Sequence, residues 1–122
     1  MVCSLLERFS MRILLVDDDK DILAVVGQAL READAEIVTE DNAERALDRI
    51  KGEKFDWLIT DGYMPDESGF DLAGEARLHQ PEMKRVLVSG IYKEDAVALA
   101  LFHKVFQKPV DTNELIAYLK GN

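Results

Sequence analysis

Acidic side chains end two apolar runs of this sequence, and they are the residues best suited to chemistry. The stretch "RILLVDDD" ends in Asp17, Asp18 and Asp19, and "WLITDG" changes from apolar to acidic at Asp61. Alone, Asp61 is explained as a turn residue whose carboxylate bonds nearby backbone. If both runs are neighbouring strands, however, Asp17, Asp18 and Asp61 share a cleft and repel one another unless a proton or a cation lies between them. An incomplete cage of hard oxygen ligands suits Mg2+, which keeps several waters.

A hydroxyl and an ammonium group stand at comparable positions further along the chain. Ser89 ends the apolar run "RVLVS", and Lys108 follows "VFQ". Each has a simpler explanation, because serine is common in turns and most lysines are solvated. Asp19 is likewise best explained as a helix N-cap rather than as a ligand. Only the joint occurrence of the carboxylates, Ser89 and Lys108 at successive run ends predicts a functional site.

Composition excludes several classes of protein. The 122 residues are enough for one domain with one core, and 48% hydrophobic and 32% charged residues are ordinary for a globular protein. A formal net charge of -9 argues against nucleic acid or an anionic membrane as a direct partner. The single Cys3 cannot form an internal disulfide, which fits a cytoplasmic protein. No apolar stretch approaches membrane-spanning length.

Apolar runs alternate with helical patterns throughout the chain. We predict strands over residues 12–17, 35–39, 57–60, 85–89 and 105–107, with helices around 22–30, 43–50, 70–78, 94–102 and after Asp111. Asp41 with Glu44 resembles a capping box for the second helix, which Gly52 would stop. Five strands alternating with five helices predict an α/β fold with a doubly wound parallel sheet covered on both faces. Such sheets bind ligands at the carboxyl ends of their strands.

Four motifs together resemble the receiver domain of two-component response regulators. They are "ILLVDDD", "LITDGYMPDESG", "VLVSG" and "QKPVD", in this order, and the resemblance extends from Met11 to Lys120. As a set the motifs are highly specific, although "KP" or "DD" alone means little. The resemblance implies a flavodoxin-like, three-layer fold with strand order 2-1-3-4-5.

The resemblance also implies roles for the acidic residues. Asp61 matches the aspartate that accepts a phosphoryl group. Asp17 and Asp18 match the acidic pair that holds Mg2+, Asp18 directly and Asp17 through water. Tyr63 matches the position whose backbone carbonyl completes the metal site.

Ser89 and Lys108 match the remaining active residues of the family. Ser89 corresponds to the hydroxyl that bonds a phosphoryl oxygen, and Lys108 to the lysine that pairs with the phosphate. The family's Lys-Pro bond is cis, which implies a cis bond between Lys108 and Pro109.

The implied function is that of a signalling protein rather than an enzyme with a separate substrate. Asp61 would take the phosphoryl group from a phosphohistidine of a sensor histidine kinase or a histidine phosphotransfer protein. The domain would then bind a downstream partner or a second copy through the fourth helix, the fifth strand and the fifth helix. The segment "AVALALF" of the fourth helix is apolar without a break, so we expect Leu99 or Leu101 to lie on this face.

Three positions depart from the family pattern. Val105 stands where an aromatic residue usually reports phosphorylation, so the switch would depend on helix repositioning. Tyr63 and Ile91 stand where residues flank the water that attacks the phosphoryl group. Both are bulky, and neither orients water well, so we predict slow dephosphorylation.

Two alternatives remain open at the level of sequence. Asp17 and Asp19 form the "DxD" of haloacid-dehalogenase-like phosphatases, another Mg2+-dependent family. That family has Thr or Val where Asp21 stands, which makes this interpretation weak. The second alternative is a receiver-like module that binds proteins without being phosphorylated.

The chain is divided into an extension over residues 1–10 and a receiver domain over residues 11–122. Met11 directly precedes the first strand and is as good a start as Met1. A stand-alone receiver and a domain excised from a longer protein both fit the sequence, and neither the kinase nor the stimulus can be read from it.

Overall fold

A computed structural model describes residues 11–64, 68–90 and 100–121. The strands are β1 (Arg12–Val16), β2 (Glu36–Glu40), β3 (Trp57–Thr60), β4 (Lys84–Ser89) and β5 (Lys104–Gln107). The helices are α1 (Lys20–Glu32), α2 (Ala43–Gly52), α3 (Gly69–His79) and α4 (Thr112–Leu119). The predicted extension lies outside the described residues, as does most of the helix predicted over 94–102.

The five strands form one parallel sheet in the order β2-β1-β3-β4-β5. This confirms the predicted fold class and strand order. The described part of the chain contains four helices rather than five, and α4 is the helix predicted as the fifth. Because all strands run the same way, their carboxyl ends lie at one edge of the sheet, where the acidic residues follow β1 and β3.

The core has one apolar layer on each face of the sheet, because successive residues of a strand point to opposite faces. In β1, Ile13 and Leu15 belong to the layer that includes Leu30 of α1 and Leu115 of α4. The second layer contains the intervening residues of β1 and side chains of α2 and α3: Leu14, Val16, Ala46, Ile50, Leu72 and Ala76. Burial on both faces explains the unbroken apolar run of β1.

Capping residues begin the helices, and one prediction about them is wrong. Asp19 caps α1 and Asp111 caps α4, as predicted. Helix α2, however, is capped by Asn42, whose Oδ1 accepts a hydrogen bond of 2.8 Å from the N–H of Arg45. The capping box of Asp41 with Glu44 does not form because the helix begins one residue later. Helix α2 ends at Gly52, as predicted.

None of the helices in the described ranges has the length and apolar content needed to cross a membrane.

Candidate functional site

The three predicted carboxylates meet at the carboxyl edge of the sheet. Oxygen atoms of Asp17, Asp18 and Asp61 all lie within 4.8 Å of one another. Asp17 and Asp61 are buried, at 2% and 7% exposure, whereas Asp18 is exposed. Two buried carboxylates beside an exposed one form an oxygen-rich group that is open to solvent on one side. This donor set fits a hard divalent cation that keeps part of its water shell.

Lys108 lies between the two buried carboxylates. Its Nζ atom is 2.8 Å from Oδ2 of Asp17 and 3.2 Å from Oδ2 of Asp61. The backbone N–H of Lys108 donates a hydrogen bond of 2.9 Å to the carbonyl of Ser89, which anchors the residue to the end of β4. The bond from Lys108 to Pro109 is cis, as predicted. One ammonium group therefore partly neutralises two carboxylates from different strands.

Backbone hydrogen bonds hold Asp61 in place. Its N–H donates to the carbonyl of Val16 at 3.0 Å, and its carbonyl accepts from the hydroxyl of Thr60 at 2.9 Å. Its Oδ1 accepts from the N–H of Tyr63 at 3.3 Å, while Oδ2 accepts from Lys108. Both carboxylate oxygens are thus oriented by donors, and the carboxylate is fixed at the rim of the sheet.

Gly69 explains why the loop after Asp61 closes so tightly. The N–H of Gly69 donates a hydrogen bond of 3.0 Å to the carbonyl of Gly62. A Cβ atom at position 69 would lie 1.8 Å from the carbonyl oxygen of Asp61, far inside van der Waals contact. Only glycine therefore lets the start of α3 lie directly against the backbone of Asp61.

Burial sets the charge balance of the site. Desolvation raises the pKa of Asp17, and the nearby charge of Asp61 adds to this effect. The hydrogen bonds from Lys108 and from the N–H of Asp19 act in the opposite direction without cancelling it. Burial also lowers the pKa of Lys108, but the bond to Asp17 and the charges of both carboxylates outweigh this and leave the pKa raised. Lys108 therefore stays protonated, and the site still favours a further proton or cation beside Asp17.

Of the remaining predicted residues, Ser89 and Tyr63 lie at this edge, and Val105 lies near the start of β5. Ser89 is buried at 1% exposure and ends β4, where it pairs in register with Gln107, the residue before Lys108. The ring of Tyr63 is 56% exposed. Val105 is half-buried and packs against the cluster of Leu87 and Phe102. Ile91 lies outside the described residues.

Several contacts of the site were not predicted from the sequence. They are the bond from the Thr60 hydroxyl to the Asp61 carbonyl, the bond from the Tyr63 N–H to the Asp61 carboxylate, and the bond from the Asp19 N–H to Oδ1 of Asp17 at 2.9 Å. Asp19 therefore caps α1 and also orients a carboxylate of the site. The position of Asp19 directly before a helical pattern was the sequence signal for the cap. Its hydrogen bond to the carboxylate of Asp17 has no such signal and is seen only in the three-dimensional structure.

A groove of about 840 Å3 lies at the opposite edge of the sheet, where Arg12, Phe55, Trp57 and Lys84 contribute to its lining. It is distant from the carboxylates, because these residues lie at or just before the amino ends of β1, β3 and β4. The convergence of charged groups, rather than the volume of this groove, identifies the carboxyl edge as the candidate site.

Comparisons with known proteins agree on one family. The sequence model of one protein family, the response regulator receiver domain, matches residues 13–120. The response regulator receiver protein CpdR of Brucella abortus is 33% identical over 111 residues, which cover 86% of this chain and 90% of that protein. The DNA-binding transcriptional regulator NtrC of Azospirillum brasilense is 31% identical over 88% of this chain but only 23% of its own length.

Solved structures give the same result. A CheY-like receiver domain protein from Methanospirillum hungatei superimposes with a TM-score of 0.87 at 31% identity, covering 90% of each chain. The response regulator TrrA of Thermotoga maritima, solved in complex with Mg2+ and BeF, gives a TM-score of 0.83 at 32% identity over 90% of this chain and 96% of that one.

Proposed function

Because this chain belongs to the family of response regulator receiver domains, we propose that Asp61 accepts a phosphoryl group from a phosphohistidine on a separate protein. The observation that carries the proposal is the position of the Asp61 carboxylate. It stands at the rim of the sheet, 3.2 Å from the ammonium of Lys108 and within 4.8 Å of carboxylate oxygens of Asp17 and Asp18. A nucleophile in a fixed orientation, beside an ammonium group and a set of oxygens able to hold a cation, meets the requirements of phosphoryl transfer.

The reaction consists of one displacement at phosphorus. A carboxylate oxygen of Asp61 attacks the phosphorus atom, the P–N bond to the donor histidine breaks, and its electron pair stays on the imidazole nitrogen. The product is an aspartyl phosphate. The Nζ atom of Lys108 lies 3.2 Å from Oδ2 of the attacking carboxylate, which supports the proposed pairing of its ammonium with the phosphoryl oxygens. The buried Ser89 at the end of β4 is the proposed hydroxyl donor to the same oxygens.

Asp17, Asp18 and Asp61 are the side chains proposed to hold Mg2+, with the backbone carbonyl of Tyr63 as a further ligand. The oxygen donor set and the 4.8 Å limit on the separation of the three carboxylates support this. The ion would neutralise charge on the transferring phosphoryl group. The chain's own part is to supply the oxygens, to keep Lys108 charged, and to hold Asp61 in one orientation.

The partners follow from the same proposal. A sensor histidine kinase or a histidine phosphotransfer protein would supply the phosphoryl group, and the protein would act in the cytoplasm. The proposed output face comprises the 94–102 segment, β5 and α4.

Leu101 is half-buried at this face, and Leu99 lies outside the described residues. A charge introduced by Leu101→Glu should weaken self-association or kinase binding, measured with and without beryllofluoride. If both are unchanged in a folded variant, the output surface lies elsewhere.

Intact-mass measurement after incubation with acetyl phosphate and Mg2+ tests the central assignment. The wild-type protein should gain one phosphoryl group and keep it on the time scale of the measurement, while Asp61→Asn should gain none. Asp48→Asn, a change of the same type on the exposed face of α2, is the matched control and should behave as the wild type.

The same experiment separates the two alternatives. A phosphatase of the haloacid-dehalogenase type would hydrolyse acetyl phosphate continuously, and a non-phosphorylated module would show neither uptake nor turnover. Phosphoryl uptake by Asp61→Asn equal to that of the wild type would overturn the proposal.

A further inference from the structure

Three aromatic rings form a continuous chain from the candidate site to the segment that enters β5. The ring centroids of Tyr63 and Phe70 are 5.7 Å apart with planes at 61°, and those of Phe70 and Phe102 are 5.7 Å apart at 79°. Both pairs have the edge-to-face geometry that aromatic rings prefer. Tyr63 is two residues after Asp61, and Phe102 is three residues before Val105. The rings therefore connect the two regions that a phosphorylation signal must link.

The first end of this ring chain is tied directly to Asp61. The N–H of Tyr63 donates to Oδ1 of Asp61, so a change at that oxygen directly alters a hydrogen bond of the Tyr63 backbone. Gly62 lies between Asp61 and Tyr63 in the chain, and its backbone runs close to the middle ring. A Cβ atom there would approach within 3.1 Å of Cε2 of Phe70 and 3.2 Å of Cδ1 of Leu87. Little room therefore separates the loop after Asp61 from the ring of Phe70, and a large movement of the loop in that direction would displace the ring.

The second end is tied to the start of β5. Phe102 is buried and packs with Leu87 and Ala73, and half-buried Leu101 and Val105 pack against the same cluster. The residues on either side of Phe102 are fixed to β4 by hydrogen bonds. Nε of Arg85 donates to the carbonyl of Leu101 at 2.7 Å, and the N–H of His103 donates to the carbonyl of Arg85 at 2.8 Å. A displacement of Phe102 therefore has to change how this segment lies on β4.

We infer that the Tyr63–Phe70–Phe102 ring chain transmits the phosphorylation state of Asp61 to residues 101–105. Val105 cannot report phosphorylation by a ring movement, because its side chain is not aromatic. The inference rests on the proposed phosphorylation of Asp61 and adds the path by which its effect reaches residues 101–105. Phosphorylation changes the contacts of Asp61 Oδ1, and the resulting movement of Tyr63 and Phe70 biases the packing of Phe102 between two arrangements.

The test compares backbone amide NMR shifts before and after addition of Mg2+ and beryllofluoride. In the wild type, shifts should change at Asp61 and Lys108 and also at Leu101, Phe102 and His103. In Phe70→Leu, the changes at 61 and 108 should persist. The changes at 101–103 should fall to about half or less, the effect expected when a coupling residue is altered.

Phe106→Leu is the matched control. Phe106 is a neighbour of Val105 on β5, but its ring packs on Tyr118 of α4, at a centroid distance of 5.9 Å, as part of the other core layer. It should retain the wild-type changes at 101–103. If Phe70→Leu does not fold, Phe102→Leu removes the last ring and should give the same loss.

The outcomes separate the inference from the function on which it rests. If the amide shift changes at 101–103 are undiminished in Phe70→Leu or Phe102→Leu while those at Asp61 are normal, the ring chain does not transmit the signal. The proposed function is then unaffected. An equal loss in Phe106→Leu also overturns the inference, because any core truncation would then have the effect. Absence of changes at both Asp61 and Lys108 in the wild type, together with no phosphoryl uptake, overturns both.

Discussion

Lys108 and Asp17 form a close ion pair inside the carboxyl edge of the sheet, with Nζ 2.8 Å from Oδ2 and only 4% of the Asp17 side chain exposed. The pair does not balance the site, because Asp18 and Asp61 bring two further carboxylates within reach. Desolvation raises the pKa of Asp17 in spite of the lysine. The folded protein therefore contains a surplus of negative charge that a bound cation would relieve.

Mg2+ should accordingly stabilise the unphosphorylated protein. At one hundred times the dissociation constant, a ligand that binds only the native state adds about 2.7 kcal/mol to the free energy of unfolding. For a domain of this size that corresponds to a rise in melting temperature on the order of 10 °C. Asp18→Asn removes one of the proposed ligands and should reduce the rise, whereas Asp48→Asn on α2 should not. A melting temperature insensitive to millimolar Mg2+ would count against the site.

Gly69→Ala should destabilise the protein by about 3 kcal/mol or more, because a Cβ atom there would overlap the carbonyl oxygen of Asp61. The matched change is Gly74→Ala in the same helix, where no atom lies within 4 Å of the added methyl group. That variant should gain up to about 1 kcal/mol through higher helix propensity. Urea unfolding measures both, and equal stabilities of the two variants would show that the contact at Gly69 is not tight.

The match between sequence and structure is closest where the pattern is local. The strand "WLIT" has the predicted bounds, and the two-sided burial of β1 agrees with its unbroken apolar run. Asn42 and Asp41 show the limit of local reasoning. Both residue types cap helices well, so only the position of the first turn, which packing determines, decides between them.

Contacts between distant elements were less predictable. Alternating strands and helices predict a parallel sheet, but its strand order came from the family resemblance, since periodicity holds no information about which strands are neighbours. The contact of Phe70 with Phe102 joins residues that are far apart in the chain, and neither ring has a sequence signal that distinguishes it from an ordinary core residue. The carboxylate cluster was predictable because parallel strands bring their carboxyl ends together.

Tyr63→Asn should accelerate loss of the phosphoryl group by several-fold. The bulky ring of Tyr63 is exposed beside Asp61, where an amide could orient the attacking water by a hydrogen bond. The decay of the aspartyl phosphate is followed by intact mass after removal of the donor. Tyr63→Leu is the control, because it also removes the ring contact with Phe70 but supplies no amide. Equal decay rates in Tyr63→Asn and the wild type would contradict the role of this side chain.

Acidification should weaken the fold partly through His103. Burial lowers the pKa of His103, and the charges of Arg85 and Lys84 lower it further, while a backbone hydrogen bond with Arg85 acts in the opposite direction without cancelling these effects. The folded state therefore binds the proton less readily than the unfolded chain. The contribution of this residue is fully present above the unfolded pKa of about 6.5, and it is lost as pH falls toward the lower folded value. In the folded protein, Nδ1 of His103 accepts a hydrogen bond of 3.0 Å from the N–H of Arg85.

The measurement compares the free energy of unfolding at pH 7.5 and pH 5.5, values that lie about one unit on either side of the unfolded pKa. His103→Gln should lose less stability between these values than the wild type, by a modest amount because the imidazole is partly solvated. His79→Gln, at the end of α3, controls for removing a histidine as such. His103 is the cause only if His103→Gln flattens the pH dependence more than His79→Gln does. If the two variants respond equally, the acid sensitivity arises from the carboxylates instead.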